Sequence, residues 1–147
     1  MNPAKQPTVM IADSHGDTRR LLKFWLEAEG YRVVEAADGR EALKLTGGEC
    51  PDLIMMSMRM PVLGGLEAAR LIRARRKECV FPILVMSTYP TARERALALA
   101  AGCDEFVAMP APLRSLSNLV GRLLTRHGRP ATVGERLTPA RAHGGRY

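Results

Sequence analysis

Cysteine is scarce in this chain. Cys50, Cys79 and Cys103 are the three among 147 residues, odd in number and far apart, which predicts neither a disulfide framework nor a zinc knuckle and points to a reducing, cytoplasmic compartment. Long apolar runs are missing too. Nothing approaches the roughly 18 consecutive residues that a membrane-spanning helix needs, so no membrane span is expected. Residues 1–13 carry one lysine and no extended apolar stretch, too little for a secretory leader. Against these absences, 46% hydrophobic and 25% charged residues suffice for a packed core and exclude intrinsic disorder. The length fits one domain with a short appendage.

The net charge of +7 is unevenly spread. Residues 127–147 hold Arg129, Arg136, Arg141 and Arg146 against Glu135 alone, and helical periodicity stops after His127. These residues read as a basic, mobile tail behind a domain of residues 1–126. His127 and His143 have no acidic or thiol companions at zinc-binding spacing.

Within residues 1–126, short apolar runs alternate with helical patterns. Thr8–Ala12 (TVMIA), Tyr31–Glu35, the DLIMMSM run after Pro51, ILVMS after Pro82 and Asp104–Ala108 predict five strands. Between and after them, Leu21, Leu22, Trp25 and Leu26, then Ala42, Leu43 and Leu45, then Leu66, Ala69 and Ile72, then ARERALALAA, then Leu113, Leu116, Val120, Leu123 and Leu124 recur at helical spacing. Asp38 and Thr91 predict N-caps, and Gly30 a helix end. The second strand alternates enough to be an outer one, and Arg70, Arg73, Arg76 and Lys77 predict a solvated basic helix face. Five βα units need crossover connections and therefore a parallel sheet covered on both faces. The continuous apolar character of strands one, three and four agrees. The fold class is α/β, a doubly wound five-stranded sheet.

The order VMIAD-S-H-G-D, LLKFWLEAEGYRVVEAADGREAL, PDLIMMSMRMP-V-L-G-G-LEA, FPILVMST and AGCDEFVAMPA resembles a receiver domain of two-component response regulators, CheY-like, across residues 8–126. The resemblance implies the strand order 2-1-3-4-5 and a site at the carboxyl ends of the strands. In receivers the first strand ends in two acids that hold Mg²⁺, and the third ends in the aspartate that accepts phosphate from a histidine kinase. The fourth ends in Ser or Thr, and the fifth in a Lys before a cis-proline. Here Asp13 matches the first acid, but Ser14 stands at the second, Ser57 at the acceptor and Met109 at the lysine. Ser87 matches the hydroxyl, Pro110 the cis-proline and Phe106 the aromatic switch position. No acid lies between Asp52 and Glu67, and Asp52 begins the third strand about 16 Å from its end.

Phosphoryl transfer to a receiver needs a carboxylate nucleophile beside a divalent cation. A serine hydroxyl without an adjacent base is a weak nucleophile, and Asp13 alone is a poor Mg²⁺ site. A lysine left among lost acids would be an unpaired buried charge, whereas methionine fills its volume without one. The pocket therefore reads as a degenerate phosphorylation site in which Asp13 accepts hydrogen bonds from Ser14, Ser57 or Ser87, or stays hydrated at the rim, with Mg²⁺ binding weak or absent. His15 reads as a helix-start residue rather than a ligand. No pair of catalytic acids and no nucleophile–base pair emerges at the strand ends, which predicts a non-enzyme.

These substitutions predict a pseudo-receiver, an atypical response regulator acting as a phosphorylation-independent protein-interaction module, and a tail too short for a helix-turn-helix or a catalytic domain predicts that it stands alone, with no output domain. The resemblance implies a partner face on the fourth helix, fifth strand and fifth helix, with Arg93, Arg95, Arg114 and Arg122 exposed on it. These favour an acidic signalling protein or an arginine-paired homodimer. A second reading is a nucleic-acid-associated protein using the arginine-rich tail. With no interleaved aromatics save Tyr147, its affinity would be weak and salt-sensitive.

Overall fold

The computed structural model describes residues 6–75 and 80–126; the basic tail of residues 127–147, and Arg76 and Lys77 of the expected basic face, lie outside them. The strands are β1 (Thr8–Ala12), β2 (Arg32–Ala36), β3 (Leu53–Ser57), β4 (Ile83–Ser87) and β5 (Glu105–Ala108). The helices are α1 (Gly16–Ala28), α2 (Gly39–Thr46), α3 (Gly65–Arg75), α4 (Ala92–Ala100) and α5 (Leu113–Arg126). All strands pair in parallel in the order β2-β1-β3-β4-β5, as expected, with β2 at one edge.

The period of two along each strand sorts the core into two layers. Val9, Ile11, Leu53, Met55, Leu84 and Met86 point to one face, where Leu22, Trp25 and Leu26 of α1 and the apolar stripe of α5 cover them. Met10, Ala12, Ile54, Met56, Ile83 and Val85 point to the other, where small residues of α2, α3 and α4 (Ala42, Ala68, Ala69, Ala98) let these helices approach closely. The Trp25 indole N–H donates to Ser117 Oγ at 3.0 Å and ties α1 to α5.

Helix ends follow local chemistry. Asp38 caps α2 by accepting from the Glu41 N–H, and Glu41 reaches back to the Ala37 N–H at 2.7 Å. Thr91 caps α4 by accepting from the Glu94 N–H. Gly30 ends α1 with φ +100°, a conformation glycine adopts without steric cost.

Three expectations change. Cys50 is disulfide-bonded, whereas Cys103 is a free, buried thiol; wide spacing along the sequence does not exclude pairing in the fold. Arg73 is no member of a solvated face. It donates to the carbonyls of Gly102 (2.9 Å) and Phe81 (2.6 Å) and pairs with Asp104 at 2.7 Å, fastening α3 to the loops that lead into β4 and β5. Arg95 and Arg122 are half-buried rather than exposed: the Arg95 guanidinium lies 5.0 Å over the Phe106 ring, and Arg122 sits among the buried residues of α5. Arg93 and Arg114 are exposed as expected.

Candidate functional site

Parallel strands deliver their carboxyl ends to one edge, and the register fixes what arrives there. Ala12 pairs with Met56, Ser57 with Met86, and Ser87 with Ala108, so Asp13, Ser57, Ser87 and Met109 converge. These four line one cavity of about 440 Å³ together with Pro110 and Leu21. Ser14 does not line it. The Met109–Pro110 peptide is cis, as expected at that position, and the Met109 N–H donates to the Ser87 carbonyl at 2.8 Å.

Asp13 is only 6% exposed. Its Oδ1 accepts from the His15 N–H at 2.8 Å and lies 3.2 Å from His15 Nδ1, and its carbonyl accepts from the Arg19 guanidinium. The expectation that a serine would donate to Asp13 is therefore corrected. Ser57 Oγ donates to the Arg59 carbonyl at 3.3 Å. Ser87 Oγ donates to Glu94 Oε1 at 2.7 Å and accepts from the Tyr89 N–H at 3.0 Å. The backbone N–H of His15, two residues on from Asp13, reaches the carboxylate before any strand-end hydroxyl does.

Glu94 is the residue that sequence reasoning missed. It is 9% exposed, and its two oxygens take Ser87 Oγ and the Arg59 guanidinium. Arg59 in turn lies 5.4 Å over the Tyr89 ring. The signal was present as Thr91-x-x-Glu94, the pattern of a capping box. Thr91 plays its part in the cap, but the carboxylate turns away from the helix N-terminus to the strand end. Arg59, two residues after Ser57, carried no signal beyond its place in the β3–α3 loop.

Gly65 holds this edge tight. A Cβ there would stand 2.1 Å from the Ser57 carbonyl oxygen, and its N–H donates to the Met58 carbonyl at 3.0 Å. Phe106 is buried, its ring among the residues under α2, α3 and α4.

Residues 9–121 match the family model described as the response regulator receiver domain. The chain belongs to that family. This receiver is 32% identical over 118 residues to the alkaline phosphatase synthesis transcriptional regulatory protein PhoP of Bacillus subtilis, covering 80% of the chain and 48% of the relative, so it spans about half the length of that regulator. Its fold resembles the chemotaxis protein CheY4 of Vibrio cholerae, with TM-score 0.77, 27% identity and coverage of 81% of this chain and 99% of the other. It also resembles the receiver domain of the sensor histidine kinase PA1611 from Pseudomonas aeruginosa, with TM-score 0.76, 26% identity and coverage of 82% and 99%; that structure has a magnesium ion coordinated in the active-site cleft. Receivers of this family serve two-component signalling.

Among the described residues no group of three or more His, Cys, Asp or Glu side chains could hold a metal ion. The cleft offers one carboxylate, with one oxygen already engaged by His15. No helix among the described residues is long and apolar enough to cross a membrane.

Proposed function

We propose that this receiver is a pseudo-receiver: a protein-interaction module of two-component signalling that takes no phosphoryl group, uses no Mg²⁺ and catalyses no reaction. The observation that carries the reading is Ser57. It occupies the carboxyl end of β3, where receivers carry the acceptor aspartate, and its hydroxyl points to the Arg59 carbonyl with no base beside it to activate it. Two neighbours support the same reading. Met109 replaces the cation that would steady phosphoryl charge, and the Ser87 hydroxyl, which in receivers binds the phosphoryl group, is held by Glu94.

The partner is a signalling protein that meets the face built from α4, β5 and α5. Leu97, Leu99 and Leu113 are exposed there beside Arg93 and Arg114, which fits a partner with an apolar centre and an acidic rim. A partner that binds one conformer better than another shifts the population without any covalent change.

Amide NMR of the full chain with beryllofluoride and Mg²⁺ tests the reading. The expected result is no shift at Ser57 or Phe106. Stoichiometric, hydroxylamine-labile phosphate on chain taken from its native cells would overturn it, because a serine ester is not labile in that way.

A further inference from the structure

The cavity at the strand ends holds an unbalanced charge. Asp13 is nearly buried, and of its two oxygens only Oδ1 has a partner; Oδ2 receives no hydrogen bond from any described residue. A buried, half-satisfied carboxylate is costly unless something pairs with it. The one cation on the cavity wall, Arg59, is already neutralised by Glu94. His15 reaches Oδ1 from a ring that is 78% exposed. Around this single negative group the walls are mostly apolar: Leu21, Met58, Met109 and Pro110.

We infer that the cavity binds a small organic ammonium, its NH₃⁺ on Asp13 Oδ2 and its apolar body against Leu21, Met58, Met109 and Pro110. The inference rests on the phosphate-independent reading, since it takes the same pocket as free of phosphoryl group and metal. The volume of about 440 Å³ lies within the range of ligand pockets. The chemistry selects an ammonium over a bare dication. Magnesium needs an octahedron of oxygen ligands and gives up its waters reluctantly, and thioether and leucine walls cannot replace them. An ammonium needs only three acceptors, and Asp13, Ser57 and Thr88 bring oxygen acceptors to the same cavity. Its hydrocarbon gains from the walls that a hydrated metal wastes.

The test is amide NMR titration of the full chain with benzylamine, with benzyl alcohol as the neutral isostere. Benzylamine is expected to shift the resonances of residues lining the cavity with a Kd on the order of millimolar or tighter, and benzyl alcohol to bind at least about tenfold more weakly. Asp13→Asn is expected to abolish the preference. Met109→Lys, which brings its own ammonium to the cavity, is expected to exclude benzylamine even if the Asn variant folds poorly. Equal binding of amine and alcohol, or no shifts at the cavity, overturns the inference. Beryllofluoride with Mg²⁺ on a parallel sample separates the two readings: shifts there at Ser57 and Phe106 overturn the phosphate-independent function, whereas a silent benzylamine titration beside a silent beryllofluoride one overturns the ammonium site alone.

Discussion

Ser57 decides the chemistry, yet restoring its carboxylate is not enough. In Ser57→Asp the new acid would meet Met109 where a cation belongs, and a Ser87 hydroxyl already committed to Glu94. Acetyl phosphate with Mg²⁺ is therefore expected to leave Ser57→Asp unlabelled by intact-mass measurement. Efficient labelling would show that the acceptor was the sole defect. Val62 offers a test of a different kind. It is exposed and held at φ +70°, where a β-branched side chain is strained by about 1–2 kcal/mol. Val62→Asn should raise stability by about 1 kcal/mol in urea unfolding, because asparagine tolerates that conformation.

At the scale of elements, α4 is held at its first turn by Glu94 rather than by a broad apolar face, since only Glu94 and Ala98 of the helix are buried. Glu94→Ala would strand the buried Ser87 hydroxyl, at a cost of about 1–3 kcal/mol, while the exposed Arg59 guanidinium would turn to water. Hydrogen exchange is expected to quicken along α4 while α5 stays protected. Gly65→Ala is expected to be worse, because its Cβ would meet the Ser57 carbonyl at 2.1 Å and push the end of β3 away from the cavity; calorimetry should register at least about 2 kcal/mol of lost stability. These elements also mark the limits of sequence reading. Asp38 and Thr91 announced their caps because capping is local, and the continuous apolar runs announced central strands because burial on both faces leaves no room for alternation. Arg73 and Arg95 looked like surface charges because their partners, Asp104 and Phe106, lie 31 and 11 residues away in sequence. Glu94 was missed because its Thr91-x-x-Glu94 spacing is that of a capping box, and no local pattern distinguishes a carboxylate that bonds its own helix from one that bonds a strand. The positions of Asp13, Ser57, Ser87 and Met109 were legible through the family's motif order; their hydrogen bonds were not.

For the molecule as a whole, the buried Cys103 adds a pH-dependent term. Burial pushes its thiol up from the ordinary 9.0 to about 12, with Arg73 opposing and Asp104 adding to the shift. Above pH 9 the unfolded chain releases this proton while the folded chain keeps it, so stability falls as pH rises from 9 towards about 12 and is unaffected below. The slope is at most about 1.4 kcal/mol per pH unit. Urea unfolding of wild type and Cys103→Ala at a series of alkaline pH values isolates it: the gap between the two should narrow as pH climbs. A constant gap would mean that the thiol titrates alike in both states.

The bond between Trp25 and Ser117 spans 92 residues and joins the start of the chain to its last described helix. Trp25 is the sole tryptophan, and α5 supplies much of what keeps its indole dry. Its emission is thus a built-in gauge of whether that helix is seated: any condition that peels α5 from the sheet will redden the fluorescence while far-UV circular dichroism, dominated by the nine other elements, barely moves.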